Sequence, residues 1–470
     1  MNIEQSQLPG TLLHGSYIAK DFIRNAVFGY TVYVPEICQK QEACALLVNH
    51  DGLNSSEALA LEQLATTKEA PPCIVIGIDG GTLPSTLAGG WNRGMRMRAY
   101  DVFGPEFPAF VVEEFIPWIV REYNLSISDS PDMHMVSGGS SGGVSAWNMA
   151  WYQTDYFHRV YMSSPSNLSM GRGRELTALI RKYETKPIRV FTEYSENEPD
   201  DYFGSSFCAA DDVERALRFA GYDMKSRYIP GEGHCSRHFN FEDALERMRF
   251  LWENWKTEPI KVTKLSSRAE QLITSDSPWE KVNESFPEKE TVVSTGEYSA
   301  AGTYVAEEED IYFVPENGKR RKVAEGIGKI ASLSISSDCW LLYIGVLDRG
   351  CVYAMSICPD GSLSGKYLHG SLHMETDFRH PGAYDICVDS NDRVFAATES
   401  GIQCIRSFGL IDVILPLPQN AVPRRVAFGG EGMSYLYADC GGNIFRRKMK
   451  TSAKTDLHCI TTPKYVAYYD

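Results

Sequence analysis

Met133-His134-Met135-Val136-Ser137-Gly138-Gly139-Ser140-Ser141-Gly142-Gly143-Val144-Ser145-Ala146-Trp147 is the stretch that decides the fold. A short apolar run gives way to small residues, and an amphipathic stretch follows at once. Inside it, Gly139-Ser140-Ser141-Gly142-Gly143 has the G-x-S-x-G spacing of a nucleophile elbow, where a strand turns sharply into a helix and lifts one serine hydroxyl above the sheet. This spacing predicts Ser141 as that serine. The flanking glycines have a steric reason, because the turn imposes unfavourable φ/ψ and a neighbouring Cβ would strike strand or helix. A helix starting at Gly142 would aim its free backbone N–H groups at the point where negative charge develops. The spacing alone is common by chance; a strand before it and a helix after it are the context it requires.

Working outward, that context extends through the first half of the chain. Tyr30-Thr31-Val32-Tyr33-Val34-Pro35 alternates as a strand and stops at proline. Ala45-Leu46-Leu47-Val48 and Cys73-Ile74-Val75-Ile76-Gly77-Ile78 are continuous apolar runs, suited to a sheet covered on both faces. Helical periodicity from Phe110 to Trp118 and Ile119 is interrupted by Pro117, which kinks the helix or starts its second segment. Beyond the elbow, Arg159–Met162, Ile188–Thr192 and Lys225–Ile229 read as strands. Ala209–Ala220, closed by Gly221, and Phe241–Trp255 read as helices. Alternation of strand and helix gives an α/β domain over roughly residues 10–258.

A serine hydroxyl is a weak nucleophile until a base takes its proton, and an acid must hold that base. Behind such an elbow the partners follow in the order Ser, acid, His, at the ends of later strands. Gly231-Glu232-Gly233-His234 follows the last predicted strand, which makes His234 the base; His238 nearby is given no catalytic part. The acid lies in the loop after Val190-Phe191, where Glu193, Glu196, Glu198, Asp200 and Asp201 crowd together. One oxyanion donor is expected at the N–H of Gly142, the other in the first buried strand's loop at Gly52 or Leu53. In that loop His50 and Asp51 are candidates to line the pocket.

Several separated motifs now occur in order. They are Asn92-Arg93, Arg121-Glu122-Tyr123-Asn124-Leu125, Gly138 to Gly143, Lys186-Pro187-Ile188-Arg189-Val190-Phe191, Ala216 to Asp223, and Gly231-Glu232-Gly233-His234. Together they resemble the enterochelin-esterase-like branch of the α/β-hydrolases over most of residues 25–258. The resemblance implies Ser141 as nucleophile and His234 as base. The family's Asn-Asp pair falls on Asn197-Glu198, which implies Glu198 as the acid, with Asp200 or Glu196 in reserve because glutamate replaces the usual aspartate. The family's asparagine-arginine pair falls on Asn92-Arg93, near the expected substrate pocket, and the segment Gly94 to Asp101 departs from the family spacing.

Lys256 to Pro278 is polar and reads as a linker, giving an esterase domain at 1–258, a linker at 259–278 and a second domain at 279–470. Beyond it short alternating strands recur. Aligning Ser332 to Asp338, Asp385 to Ser390 and Arg425 to Gly430 gives a repeat of roughly fifty residues, within the range of propeller blades. These units resemble the gluconolactonase/regucalcin-like β-propeller. That family's divalent metal is held by hard oxygen ligands. Here Ile330-Ala331-Ser332 replaces its asparagine motif, and in Tyr384-Asp385 the acid is displaced by one residue. A one-residue shift in a strand turns a side chain to the opposite face, so no metal site is expected. The length accommodates about four blades, fewer than the family's full ring, so an incomplete propeller is expected, its exposed edges covered by the esterase domain or by a second copy of the chain.

Composition supports no other solvent class. With 43% hydrophobic and 23% charged residues the 470-residue chain has the make-up of a globular protein of two domains. A net charge of −15 without basic stripes argues against nucleic acid or an anionic membrane as partner. Met1 to Ser6 shows no secretory signal, and the twelve cysteines are scattered singly, which fits a reducing cytoplasm. The expected activity is serine ester hydrolysis on a small-molecule ester without a cofactor. The alternatives are a metal-dependent lactonase in the second half, or a non-catalytic two-domain scaffold.

Overall fold

The computed structural model describes residues 2–454 apart from 41–42, 166, 289–292, 295–299 and 375–379. Two compact units emerge: Met1–Arg181 with Thr185–Lys264, and Lys182–Glu184 with Leu265–Asp470. The division at 264/265 lies inside the expected linker, but Leu265, Ala269, Leu272 and Ile273 are buried. That stretch is packed chain, not a free spacer.

The first unit is built on a ten-stranded sheet. Its long strands are β1 (Thr11–Ile18), β2 (Val27–Val34), β3 (Ala45–His50), β4 (Cys73–Ile78), β5 (His134–Gly139), β6 (Arg159–Ser163), β7 (Arg189–Asn197) and β8 (Asp223–Gly233). They lie in the order β8-β7-β6-β5-β3-β4-β2, with β1 on β2 and the short strands Thr82–Leu83 and Arg93–Gly94 beyond. Strands β4, β3 and β5 to β8 run parallel, while β1 and β2 are antiparallel. Every residue of β3, β4 and β5 is buried, as the apolar runs Ala45–Val48 and Cys73–Ile78 predict for a sheet covered on both sides.

Helices α1 (Ser55–Thr66), α2 (Ser141–Tyr152), α3 (Ser206–Ala220) and α4 (Phe241–Leu251) pack on this sheet. Leu61, Leu64, Met248, Leu251 and Trp252 share one core with Leu47, Val75, Met135 and Phe191 of the strands. Asn54 caps α1 by accepting the N–H groups of Ser56 and Glu57, and α3 ends at Gly221 with φ of 84°, a left-handed cap suited to glycine. Pro117 sits at the start of the helical segment Ile116–Glu122, which continues directly from the π-helical stretch Phe110–Phe115. The arrangement is α/β-hydrolase-like. Its parallel strands carry their carboxyl ends to one edge, where the loops after β3, β5, β6, β7 and β8 assemble.

The second unit consists of four four-stranded antiparallel sheets. Three are sequential: Val293–Ser294 to Arg321–Ala324, Ile330–Ile335 to Leu363–Ser371, and Asp385–Val388 to Ile411–Leu415. In the fourth, Arg425–Gly429, Tyr435–Cys440 and Asn443–Lys448 are joined by Glu280–Val282, the first strand of the unit. The aligned repeats at Ser332, Asp385 and Arg425 fall on the opening strands of successive sheets. Asp392 joins two of them, accepting the Ser337 N–H at 3.0 Å and the Tyr343 hydroxyl at 2.7 Å. Asp385, the displaced acid of the sequence comparison, is engaged likewise: its carboxylate accepts the N–H groups of Ile386 and Val426. No helix among the described residues is long and apolar enough to cross a membrane.

Candidate active site

The elbow forms where the sequence places it, but one residue earlier. Ser140 has φ 56° and ψ −128°, the strained turn from β5 into α2, whereas Ser141 is the first residue of the helix. The chain is held there by the Ser140 N–H, which donates to the Ser163 carbonyl at 2.8 Å. Ser141 is buried, and its hydroxyl is hydrogen-bonded to the buried Asp101 carboxyl. The expectation of Ser141 as nucleophile is therefore corrected: the serine carrying the turn is Ser140, and it is the less buried of the two. The sequence holds two overlapping frames. Gly138-Gly139-Ser140-Ser141-Gly142 satisfies the same spacing one residue upstream. The glycines are required sterically, since a Cβ on Gly138 would lie 2.3 Å from the Gly142 carbonyl oxygen.

The first helical bonds of α2 return to the Ser140 carbonyl from Gly143 and Val144. The N–H groups of Ser141 and Gly142 precede them and are those a helix start leaves for an incoming acceptor. In the loop after β3, Gly52 does not supply a second donor as expected, because its N–H is given to the Ile78 carbonyl at 3.1 Å. Leu53 remains the loop's candidate, with its amide packed close to Gly77.

His50 is a strut, not a pocket group. Its ring is buried, stacks on Tyr100 with centroids 4.9 Å apart, and donates through Nδ1 to the Gly142 carbonyl at 3.0 Å. Burial pushes its pKa down to about 4, so the ring stays neutral. Asp51 is bound by both arms of Arg96, at 2.6 and 2.7 Å. Asn92 and Arg93, the expected substrate contacts, lie exposed: Asn92 caps its own loop by accepting the Ser85 N–H, and Arg93 pairs with Leu83 in a short surface strand. The arginine that reaches the loop after β3 is Arg96, which the sequence reading missed.

At the far side of the elbow the acid and the histidine come together. His234 Nδ1 is hydrogen-bonded to Glu198 Oε2. Glu198 is buried, and its other oxygen accepts the Ser164 hydroxyl at 2.5 Å and the Ser195 N–H at 2.9 Å. Burial alone would raise this carboxyl, but the bonds from His234, Ser164 and Ser195 outweigh it and hold Glu198 below the usual range. Of the carboxylates held in reserve, Glu196 accepts the Gly231 N–H and Asp200 is exposed in a short hairpin. His234 is pushed up to about 10, first by hydrogen bonding to the Cys235 sulfur and next by Glu198, against the effect of burial. The turn carrying His234 packs on the elbow: a side chain at Gly139 would come within 3.2 Å of Cys235 Sγ, and the Cys235 N–H donates to Ser164 Oγ at 2.9 Å. A serine on a strained turn, helix N–H groups beside it and a carboxylate-held imidazole thus share one edge of the sheet.

The family model described as "Putative esterase" matches residues 25–308, more than half of the chain. Curated proteins give no match. Among solved structures the chain is similar to a ferulic acid esterase, at 17% identity over 53% of this chain and 100% of the other, with a TM-score of 0.41. It is also similar to the enterobactin esterase of Shigella flexneri, at 18% identity over 53% of this chain and 60% of that one, with a TM-score of 0.40. A gluconolactonase from Xanthomonas campestris is matched over 30% of this chain and 44% of its own, at 19% identity and a TM-score of 0.26. By its family match the chain belongs to the esterase family and is a carboxylic ester hydrolase.

Proposed function

We propose that the chain hydrolyses small-molecule esters through an acyl-enzyme on Ser140. His234 Nε2 takes the Ser140 hydroxyl proton as Oγ bonds to the ester carbonyl carbon. The oxyanion then rests on the N–H of Ser141, with Gly142 beside it and Leu53 as the loop's donor. The imidazolium, held in orientation by Glu198, returns the proton to the leaving alkoxide as the ester C–O bond breaks. Water repeats the sequence in reverse and frees the acid. The observation that carries this reading is the buried Glu198 bonded to His234, whose turn lies against Gly139, the residue before the strained Ser140.

A fluorophosphonate probe tests it, because it reacts only with a serine activated in this way. Mapping of the labelled peptide is expected to place the adduct on Ser140, with H234A unlabelled; an unlabelled wild type refutes the reading.

The pH dependence follows from His234. Its raised pKa favours the protonated ring, and only the neutral ring can take the serine proton. The limb of kcat/KM is therefore expected to rise with pH on the alkaline side of an ordinary imidazole. Since the Cys235 sulfur is the largest cause of the rise, C235A is expected to move that limb to lower pH. A limb that stays in place contradicts this.

For the second unit we propose that the four sheets are blades of a small propeller, closed by the pairing of its first strand with its last sheet. The engagement of Asp385 by two backbone N–H groups supports a structural part for this unit over a metal-dependent lactonase. Retention of turnover in EDTA is the expected result.

A further inference from the structure

We infer that the buried Glu57–Arg247 ion pair is the positioning device of the active site, holding the loop after β3, the elbow strand and the His234 turn in register. This inference rests on the acyl-enzyme reading above. Both side chains are fully buried, one on α1 and one on α4, with Arg247 3.0 Å from Glu57 Oε1. A buried pair of this kind contributes little net stability, because desolvating two charges offsets their attraction. What the pair does is shown by the rest of its bonds.

Each remaining bond goes to a segment that carries a site residue. Glu57 Oε2 accepts the Asn49 amide at 2.8 Å and the Ser137 hydroxyl at 2.7 Å. Asn49 opens the loop that leads to Leu53 and receives the Asn54 N–H on its Oδ1 at 3.0 Å. Ser137 stands three residues before Ser140 on β5. Arg247 donates to Glu57 through Nε at 3.1 Å and to the His238 carbonyl through Nη2 at 2.7 Å, and Asn54 donates to the same carbonyl at 3.1 Å. The His238 N–H closes back on the Cys235 carbonyl at 3.1 Å, so fixing that carbonyl fixes the turn bearing His234. The Arg247 guanidinium also lies over the Tyr161 ring, on whose face the neutral His238 ring is stacked. The end of β3, the elbow strand and the His234 turn, from distant parts of the chain, are thereby tied to one buried charge pair.

Two variants separate positioning from support of the fold. R247M alone leaves Glu57 buried without its cation, so that folding must hold it unpaired or protonate it, and is expected to lower Tm. In E57Q/R247M the amide keeps partners for Asn49 and Ser137 and no buried charge remains, so Tm is expected to recover most of that loss. The kcat of the double variant for p-nitrophenyl acetate is nevertheless expected to stay about 10- to 100-fold low with little change in KM, because the His234 turn has lost the shorter of its two donors at the His238 carbonyl and small displacements of a catalytic group cost that much. The labelling rate at Ser140 should fall in parallel. Recovery of both Tm and kcat overturns the inference. Should the double variant not fold, R247K decides: it keeps a charge for Glu57 but lacks the fork that reaches His238, and wild-type kcat in folded R247K overturns the inference as well. Failure of the wild type to label at all refutes the acyl-enzyme reading instead.

Discussion

Alanine at Ser140 is expected to lower kcat for p-nitrophenyl acetate on the order of 10⁵-fold, and alanine at Ser141 about tenfold or less. The two serines are adjacent, flanked by glycines on both sides and indistinguishable by spacing. Backbone strain tells them apart. Ser140 is held at positive φ, a conformation costly for any residue with a Cβ and retained where the surrounding structure imposes it for function. In the acyl-enzyme proposal its hydroxyl is the one offered to His234. Ser141 already has helical φ/ψ, and its hydroxyl is committed to Asp101. Its N–H matters more than its side chain, and S141A keeps that N–H. Circular dichroism and Tm should show both variants folded. Loss of turnover in S141A equal to that in S140A removes Ser140 from the role.

The second large effect is expected at Glu198. E198Q preserves volume and the bonds from Ser164 and Ser195, yet kcat should fall about 10³- to 10⁴-fold, because an amide presents a donor or a neutral acceptor where the imidazolium needs a carboxylate. The wrong His234 tautomer then faces Ser140. E198D is expected to retain more activity than E198Q, since the charge survives on a shorter arm. E196Q and D200N provide the controls: Glu196 is used on the Gly231 N–H and Asp200 lies exposed, so both should stay near wild type. If E198Q keeps activity within about tenfold while one of the controls loses it, the acid has been misassigned.

How much of this was legible in the sequence depends on the range of the interaction. Ala45–Val48 and Cys73–Ile78 announce buried parallel strands through local composition alone, and Gly221 marks a helix end through its own backbone freedom. His234 was legible from its place after the last strand. The choice between Ser140 and Ser141 was not, because two overlapping frames share the glycines and only the dihedral angles separate them. Neither was the choice among five neighbouring carboxylates, which depends on which one folds under a histidine 36 residues away. Arg96 was passed over for Arg93 for the same reason: its partner Asp51 is 45 residues upstream. Lys256 to Pro278 misled by its polar average, which hides Leu265, Leu272 and Ile273 at spacings that bury them.

The pairing of Glu280–Val282 with Asn443–Lys448 has a consequence for synthesis on the ribosome. The sheet of the first unit has all its strands once β8 has emerged, long before translation ends. The second unit's opening strand has to wait for a partner made some 160 residues later. Until then it is a bare backbone edge, the kind of surface on which nascent chains aggregate. A premature stop between Val282 and Asn443 would make that exposure permanent while leaving the serine, histidine and glutamate of the esterase unit fully translated.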